Sequence, residues 1–135
     1  MSLHIYTLAN QSVTEIPLNA YYIPRLQWTN DPHKLTVQTL NRHQNDWQLV
    51  QVNSLTKETA TLVKETSATY VSINSDILFL PDNSFIYQSE KDGHNHFYYC
   101  NAKGKLVRQL TRGNWEVTDC YGYDPNTQQL FYQST

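Results

Sequence analysis

Two histidines are the residues best placed for metal chemistry. His94 and His96 are separated by a single residue, so on a β-strand both side chains would face the same side of the sheet. Imidazole is a common ligand of transition metals, but a protein site needs three or four ligands, and nothing else at ligand spacing joins this pair. We therefore favour a polar histidine pair at the entrance of a strand, and we predict no metal site and no other cofactor.

Motifs for nucleophilic or phosphate chemistry are absent from the sequence. Hydrolases of the α/β type expose their serine on a G-x-S-x-G turn. None of the four glycines flanks a serine in that pattern, and no two of them are close enough for a phosphate-binding loop or a dinucleotide fingerprint; they are Gly93, Gly104, Gly113 and Gly122. We predict no catalytic residue and no cofactor-binding residue in this chain, and the sequence does not indicate substrate-binding residues.

Isolated acidic side chains are weaker candidates. Glu116 lies between Trp115 and Val117. A buried acid is one interpretation, and a rim charge beside a half-buried tryptophan is the favoured one. Asp31 and His33 flank a proline, a setting typical of a turn rather than of a site.

Two tyrosine pairs would suit a platform on which a ligand stacks. They are Tyr21–Tyr22 and Tyr98–Tyr99. Neighbouring residues of a strand point to opposite faces, so only one member of each pair can face the core. Ordinary packing between sheets explains these aromatics with fewer assumptions, and it is the interpretation we favour.

Composition favours a sheet protein with part of its surface in water. Aromatic residues make up 13% of the 135 residues while the mean hydropathy is −0.60, a combination that fits half-buried strands. The net charge of −2 argues against nucleic-acid binding, which needs clustered lysine and arginine. No apolar run approaches the roughly 18 residues of a membrane span, and no signal peptide is visible.

Two cysteines lie outside any metal-binding or redox motif. Cys100 and Cys120 form no C-x-x-C pair, and in a chain of this size two half-buried thiols are the favoured interpretation. A disulfide between them remains an alternative, because spacing alone does not decide it.

Similar segments recur along the chain at intervals of about 45 to 48 residues. Residues 85–89 (FIYQS) resemble residues 130–134 (LFYQS), and residues 4–6 (HIY) resemble residues 96–98 (HFY) across about two intervals. This period is typical of the four-stranded blades of β-propellers.

Short strands separated by turn-like connections fill each interval. The first complete unit, residues 22–64, contains predicted strands 23–29, 34–41, 47–53 and 59–64, and the second, residues 77–111, contains 77–80, 84–89, 96–101 and 105–111. Half units flank them at residues 3–18, with strands 3–8 and 13–18, and at 121–134, with strands 121–123 and 129–134. Residues 56–68 carry helix-compatible lysine and glutamate, but their threonines favour a strand.

We therefore predict an all-β fold made of antiparallel four-stranded blade repeats. The strand count of two, four, four and two corresponds to a partial β-propeller of about three blades. A chain that begins and ends halfway through a unit is expected to be a fragment, residues 1–135, of a longer propeller domain, because no capping unit closes the array.

Several stretches, taken in order, resemble the N-terminal β-propeller of the dipeptidyl peptidase IV family, particularly its bacterial members. The most specific is residues 113–119 (GNWEVTD). The others are residues 22–28 (YIPRLQW), 40–46 (LNRHQND), 89–93 (SEKDG) and 104–111 (GKLVRQLT). The likeness covers about residues 22–135, and the order and spacing of the motifs make it stronger than any one of them.

This resemblance implies a function that the residues alone do not indicate. In that family the propeller covers a C-terminal α/β-hydrolase domain with a Ser-Asp-His triad, which removes N-terminal dipeptides after proline or alanine. A glutamate pair of the family holds the substrate amine, yet this sequence has no adjacent glutamates. The resemblance therefore implies a non-catalytic scaffold and substrate-access wall of a periplasmic or extracellular serine dipeptidyl peptidase. The alternative is a propeller-type interaction module of a non-enzymatic protein.

Open half units also predict self-association of the isolated chain. Unpaired N–H and C=O groups at a sheet edge are templates for another strand. Two outcomes are open, a dimer in which two copies complete each other's half units and a sheet that covers its own face. We favour the dimer.

Overall fold

All regular structure in the described residues is β-strand. The computed structural model describes residues 1–74 and 77–135. Its strands are β1 (Leu3–Thr7), β2 (Ser12–Ile16), β3 (Tyr22–Trp28), β4 (Lys34–Leu40), β5 (Asp46–Asn53), β6 (Thr59–Thr66), β7 (Leu78–Phe79), β8 (Phe85–Ser89), β9 (His96–Cys100), β10 (Leu106–Gln109), β11 (Val117–Asp124) and β12 (Gln129–Ser134). Within those two ranges the chain forms no helix with the length and apolarity needed to cross a bilayer.

The first compact unit comprises residues 1–28 and 32–71. It holds the β1–β2 hairpin and a four-stranded antiparallel sheet in the order β3-β4-β5-β6. Strand β4 lies inside this sheet and is buried from Leu35 to Leu40, which accounts for its continuous run of apolar and uncharged polar residues. Its core is formed by Ile16, Leu35, Val37 and Val52, with Leu3, Ile5, Leu18 and Ile23 packed against them.

The second compact unit comprises residues 29–31 and 72–135. A four-stranded antiparallel sheet in the order β10-β9-β8-β7 lies beside the β11–β12 hairpin. Its core is formed by Ile86, Phe97 and Val117. These residues come from β8, β9 and β11, so side chains of both sheets meet in one apolar cluster.

Asparagine side chains close the hairpins. The Asn101 carboxamide oxygen accepts hydrogen bonds from the backbone N–H groups of Lys103 and Lys105, each at 3.0 Å. The same turn places Gly104 at φ = 87°, a conformation that glycine adopts without the steric cost of a side chain. In the first unit Asn41 accepts from the N–H groups of Asn45 and Asp46 in a similar way.

The predicted all-β class and the two, four, four, two grouping of strands are confirmed. Residues 56–68 contribute strand β6, as predicted, and not a helix. Most predicted boundaries differ from the structure by one or two residues, as strand ends commonly do. Whether these sheets belong to the blades of a larger propeller stays a prediction.

One predicted boundary is wrong. Strand β11 begins at Val117 and not at Tyr121, because residues 117–120 also pair with β12. The pairing is interrupted by two register shifts, between Val117 and Asp119 and between Cys120 and Gly122. Bulges of this kind break the alternation of polar and apolar residues by which a strand is recognised in a sequence.

Candidate functional site

His96 is a buried structural residue of the second unit. It begins β9 and is 0% exposed. Its Nε2 lies 3.0 Å from the carbonyl oxygen of Gly113, and its Nδ1 lies 2.9 Å from the hydroxyl of Thr111. A carbonyl can only accept, so Nε2 carries the hydrogen and Nδ1 accepts from Thr111. The Thr111 oxygen accepts in turn from the backbone N–H of Phe97. Both ring nitrogens are therefore used within the protein.

Trp115 covers this histidine. The indole meets the His96 ring edge to face, with centroids 4.7 Å apart, and lies parallel to the Tyr132 ring at 6.1 Å. Trp115 is half-buried and packs against the cluster of Ile86, Phe97 and Val117. These contacts join residues 111–115 to β9 and β12. His96, the acid–base group among them, is not exposed.

The backbone turn that carries Trp115 depends on Gly113. This residue has φ = 130°, and a Cβ added to it would lie 2.7 Å from Cδ1 of Trp115. We expect Gly113→Ala to lower the free energy of unfolding by about 2 kcal/mol, from backbone strain and overpacking together. Chemical denaturation followed by circular dichroism measures this loss.

A matched glycine separates the two causes. Gly93 also has a positive φ, 93°, but no atom lies within 4 Å of an added Cβ, so Gly93→Ala should cost about 1 kcal/mol from strain alone. The double variant Gly113→Ala/Trp115→Ala should lose less stability than the sum of the two single losses, because both substitutions act on the same contact. Equal costs for the two glycines, with full additivity, would contradict the proposed packing.

The structure does not assemble His94 and His96 as metal ligands. Their ring centroids are 6.5 Å apart at an interplanar angle of 70°, and His94 precedes β9 rather than lying on it. Nδ1 of His94 lies 3.7 Å from a carboxylate oxygen of Glu116, with both side chains well exposed. Glu116 is thus a surface charge, the interpretation favoured from the sequence. Within residues 1–74 and 77–135, no three His, Cys, Asp or Glu side chains are grouped as a metal would require.

The two tyrosine pairs differ in exposure, and Tyr21 of the first pair is 51% exposed. The Tyr21 and Tyr22 rings contact each other edge to face at 4.7 Å. Tyr98 is only 2% exposed, and the Lys91 ammonium lies 4.2 Å from its ring centroid. The Tyr99 hydroxyl donates to Ser84 at 3.1 Å. The rings of Tyr98 and Tyr99 serve packing, as the sequence favoured for that pair.

The two cysteines form no disulfide with each other, and the residues near the proline of 31–33 behave as predicted. Cys100 is buried and Cys120 is half-buried. Asp31 and His33 lie in the turn between β3 and β4. The sequence interpretation therefore agrees with the structure for Asp31, His33 and Cys120, whereas Cys100 is buried and not half-buried.

A cleft of about 450 Å³ in the second unit was not predicted. Asn30 lies at one side, and its amide donates to the carbonyls of Phe79 and Leu80 at 3.1 and 2.5 Å. The remaining lining is mostly apolar: Leu78, Phe79, Leu80, Pro81, Tyr123 and Pro125. The sequence assigns Pro81 and Pro125 to separate turns, and no periodicity indicates that the turns converge. An apolar lining suits contact with an apolar side chain.

The carboxylates that neighbour Pro81 and Pro125 in the sequence accept hydrogen bonds within their own turns. The hydroxyl and backbone N–H of Ser84 donate to Asp82 and lower the pKa of that carboxyl. The backbone N–H of Asn126 and the hydroxyl of Thr127 donate to Asp124 and lower its pKa likewise. Both groups are ionised at neutral pH and hold the turns, so neither is suited to act as a general acid there.

Comparison with known proteins gives consistent results. A sequence model of the family described as the dipeptidyl peptidase IV (DPP IV) N-terminal region matches residues 1–135. The crystal structure of Porphyromonas gingivalis dipeptidyl peptidase 4 superimposes with a TM-score of 0.89 and 36% identity, over 98% of this chain and 20% of that one.

Curated relatives include both peptidases and an inactive protein. The inactive dipeptidyl peptidase 10 of Rattus norvegicus is 30% identical over 126 residues, which cover 85% of this chain and 16% of that protein. A probable dipeptidyl peptidase 4 of Aspergillus flavus is 24% identical over 150 residues, covering 100% of this chain and 19% of that protein. The chain thus spans less than a quarter of the length of each.

Proposed function

Because the chain belongs to the family of dipeptidyl peptidase IV N-terminal regions, we propose that it is a propeller segment of a serine dipeptidyl peptidase. The parent enzyme removes X-Pro or X-Ala dipeptides from the N-termini of peptides. In this proposal the segment itself is non-catalytic and serves as a scaffold and as a wall that limits access of substrates. Its partners are a C-terminal α/β-hydrolase domain of the same polypeptide and the peptides that reach it, in the periplasm or outside the cell.

The match of the N-terminal-region family model to residues 1–135 is the observation that carries this proposal. Two features of the chain support it. The sequence contains no G-x-S-x-G turn, and its best candidate for acid–base chemistry, His96, is buried with both nitrogens engaged. A chain with such a core holds its sheets together by packing and leaves chemistry to another part of the parent protein.

A second function is favoured by the similarity to an inactive relative. The rat protein named as inactive is 30% identical to this chain, so this type of segment also occurs in a protein without the activity. The alternative is accordingly an interaction module of a non-enzymatic protein.

We expect this chain alone to hydrolyse no Gly-Pro or Ala-Pro chromogenic substrate, because it lacks the nucleophile turn. The full-length parent protein should hydrolyse both substrates and should lose the activity on treatment with a serine-directed inhibitor. Activity of this chain that follows the protein peak and responds to the inhibitor would overturn its non-catalytic role. A full-length protein that folds but shows no turnover would instead favour the interaction module.

A further inference from the structure

Strand β10 is the open edge of a complete four-stranded sheet. It is the outer strand of the order β10-β9-β8-β7, and among the described residues it pairs with β9 alone. The chain continues past it through residues 110–116 into β11, which pairs with β12. This edge therefore does not depend on where the sequence begins or ends, and its outward N–H and C=O groups are open to another strand.

Basic side chains surround this edge. Residues 101–115 contain four cations and no carboxylate, in a chain whose net charge is −2. All four are exposed, and among the described residues none of their side chains forms a hydrogen bond or an ion pair: Lys103, Lys105, Arg108 and Arg112. One carboxylate does reach the strand, that of Asp92, and it accepts from the Gln109 amide at 2.8 Å. The four cations are thus left for a partner outside this part of the chain.

Two apolar side chains lie between these charges. Leu106 is 46% exposed and Val107 is 57% exposed. The register of β10 with β9 shifts between Leu106 and Arg108, so Val107 has no partner on β9. Exposed apolar side chains on a free edge give an added strand contacts beyond its backbone hydrogen bonds.

The corresponding strand of the first unit lacks this charge pattern. Strand β6 is also the last strand of its sheet, but it carries Lys64 and Glu65, of opposite sign. Lys64 in addition lies 3.5 Å from the carboxylate of Asp46. Charges of both signs protect an edge from any partner, whereas a single sign on β10 repels a second copy of the same edge and attracts an acidic strand.

We propose that β10 is a docking edge for an acidic, extended segment of a partner protein, which pairs with β10 as an added strand. The backbone of that segment supplies hydrogen bonds, and its carboxylates meet Lys105 and Arg108. Side chains alternate along a strand, so a segment in which acidic and apolar residues alternate fits best. An anionic lipid surface would match the cations but would leave the N–H and C=O groups of the edge without strand partners. The proposal goes beyond the proposed function, because it requires neither a hydrolase domain nor a peptide substrate.

Peptide binding to the full-length parent protein tests this docking edge. The probe is a peptide of three Glu-Val repeats with a C-terminal amide. Fluorescein on its N-terminus leaves no free amine for a dipeptidyl peptidase, so binding is measured without turnover. Fluorescence anisotropy should show saturable binding at low ionic strength. The affinity should fall at least tenfold when the ionic strength is raised from about 0.05 M to about 0.5 M, because salt screens exposed charges.

Two control peptides separate strand pairing from attraction between charges. The same peptide N-methylated at every residue keeps its carboxylates but has no N–H to donate, and we expect it to bind at least tenfold more weakly. Three Lys-Val repeats should not bind at the same concentrations. Equal binding of the methylated and unmethylated acidic peptides would show attraction by charge alone and overturn the strand pairing.

Charge reversal locates the site on the protein. We expect Arg108→Glu and Lys105→Glu each to raise the dissociation constant of the acidic peptide at least tenfold, with the circular dichroism spectrum unchanged. The matched control is Arg42→Glu, at an exposed turn residue between β4 and β5, which should leave the constant within about twofold. Equal effects of Arg108→Glu and Arg42→Glu would place the peptide on another surface and overturn the proposal.

Lipid vesicles test the alternative partner. Vesicles of phosphatidylglycerol and phosphatidylcholine are sedimented with the full-length protein. Sedimentation that Arg108→Glu abolishes, without binding of the acidic peptide, would assign the cations to a lipid surface and overturn the proposal. Failure of the full-length protein to bind the peptide at low ionic strength would overturn it as well. The assay with Gly-Pro and Ala-Pro substrates decides the peptidase function separately.

Discussion

Replacing Trp115 with alanine is expected to lower the free energy of unfolding by about 3 kcal/mol, the lower end of the range for truncated buried aromatics. The substitution removes the contacts of the indole with His96 and Tyr132. It also leaves a gap beside the cluster of Ile86, Phe97 and Val117, which the surrounding strands can fill only in part. Urea or guanidinium denaturation measures the loss, with circular dichroism as the readout.

A second tryptophan provides the control for this result. Trp28 is 57% exposed on β3, so Trp28→Ala should change the free energy of unfolding by no more than about 0.5 kcal/mol. Trp115→Phe should recover part of the loss, because phenylalanine keeps an aromatic ring over His96. If Trp115→Ala unfolded at the wild-type denaturant concentration, the indole would not be part of the core in solution.

His96→Leu is expected to cost about 3 kcal/mol, although leucine is apolar and of similar size. The imidazole gives the carbonyl of Gly113 a donor and the hydroxyl of Thr111 an acceptor. Leucine provides neither, and each of the two lost hydrogen bonds costs about 0.5–1.5 kcal/mol. This loss is also measured by denaturation.

Two further variants show whether hydrogen bonding is the cause. His96→Gln keeps an amide N–H that can reach Gly113, so it should recover part of the stability. His94→Leu removes an exposed contact with the Glu116 carboxylate at 3.7 Å and should change stability by less than about 1 kcal/mol. A loss from His94→Leu as large as that from His96→Leu would contradict the assignment of His96 as the structural member of the pair.

The fold could be predicted because its determinants are local. Turn residues such as Asn41 and Asn101 mark the hairpins, and β-branched and aromatic residues between them indicate strands. The repeat of Tyr-Gln-Ser at residues 87–89 and 132–134 shows which strands are equivalent. The first four residues of β11 were not predicted as strand. Two bulges interrupt this strand, and each bulge reverses the face to which the following side chains point.

The candidate site could be predicted only in part because its contacts are not local. The sequence shows that His94 and His96 are close, but the burial of His96 depends on Gly113 and Trp115, which approach it only after the chain has turned. The cleft likewise depends on Asn30, whose amide reaches Phe79 and Leu80 about 50 residues away. Neither arrangement joins residues at a regular spacing in the sequence. A single sequence indicates contacts only between residues that are adjacent or regularly spaced.

The order of strands within each sheet has a consequence for how the protein is made. Both four-stranded sheets follow the order of the sequence, β3-β4-β5-β6 and β10-β9-β8-β7, so every strand pairs with one that the ribosome has just released or will release next. A hairpin forms in about 1–10 μs, whereas synthesis of the next ten or so residues takes about one second. Each growing sheet can therefore pair its newest strand long before the strand after it has been synthesised.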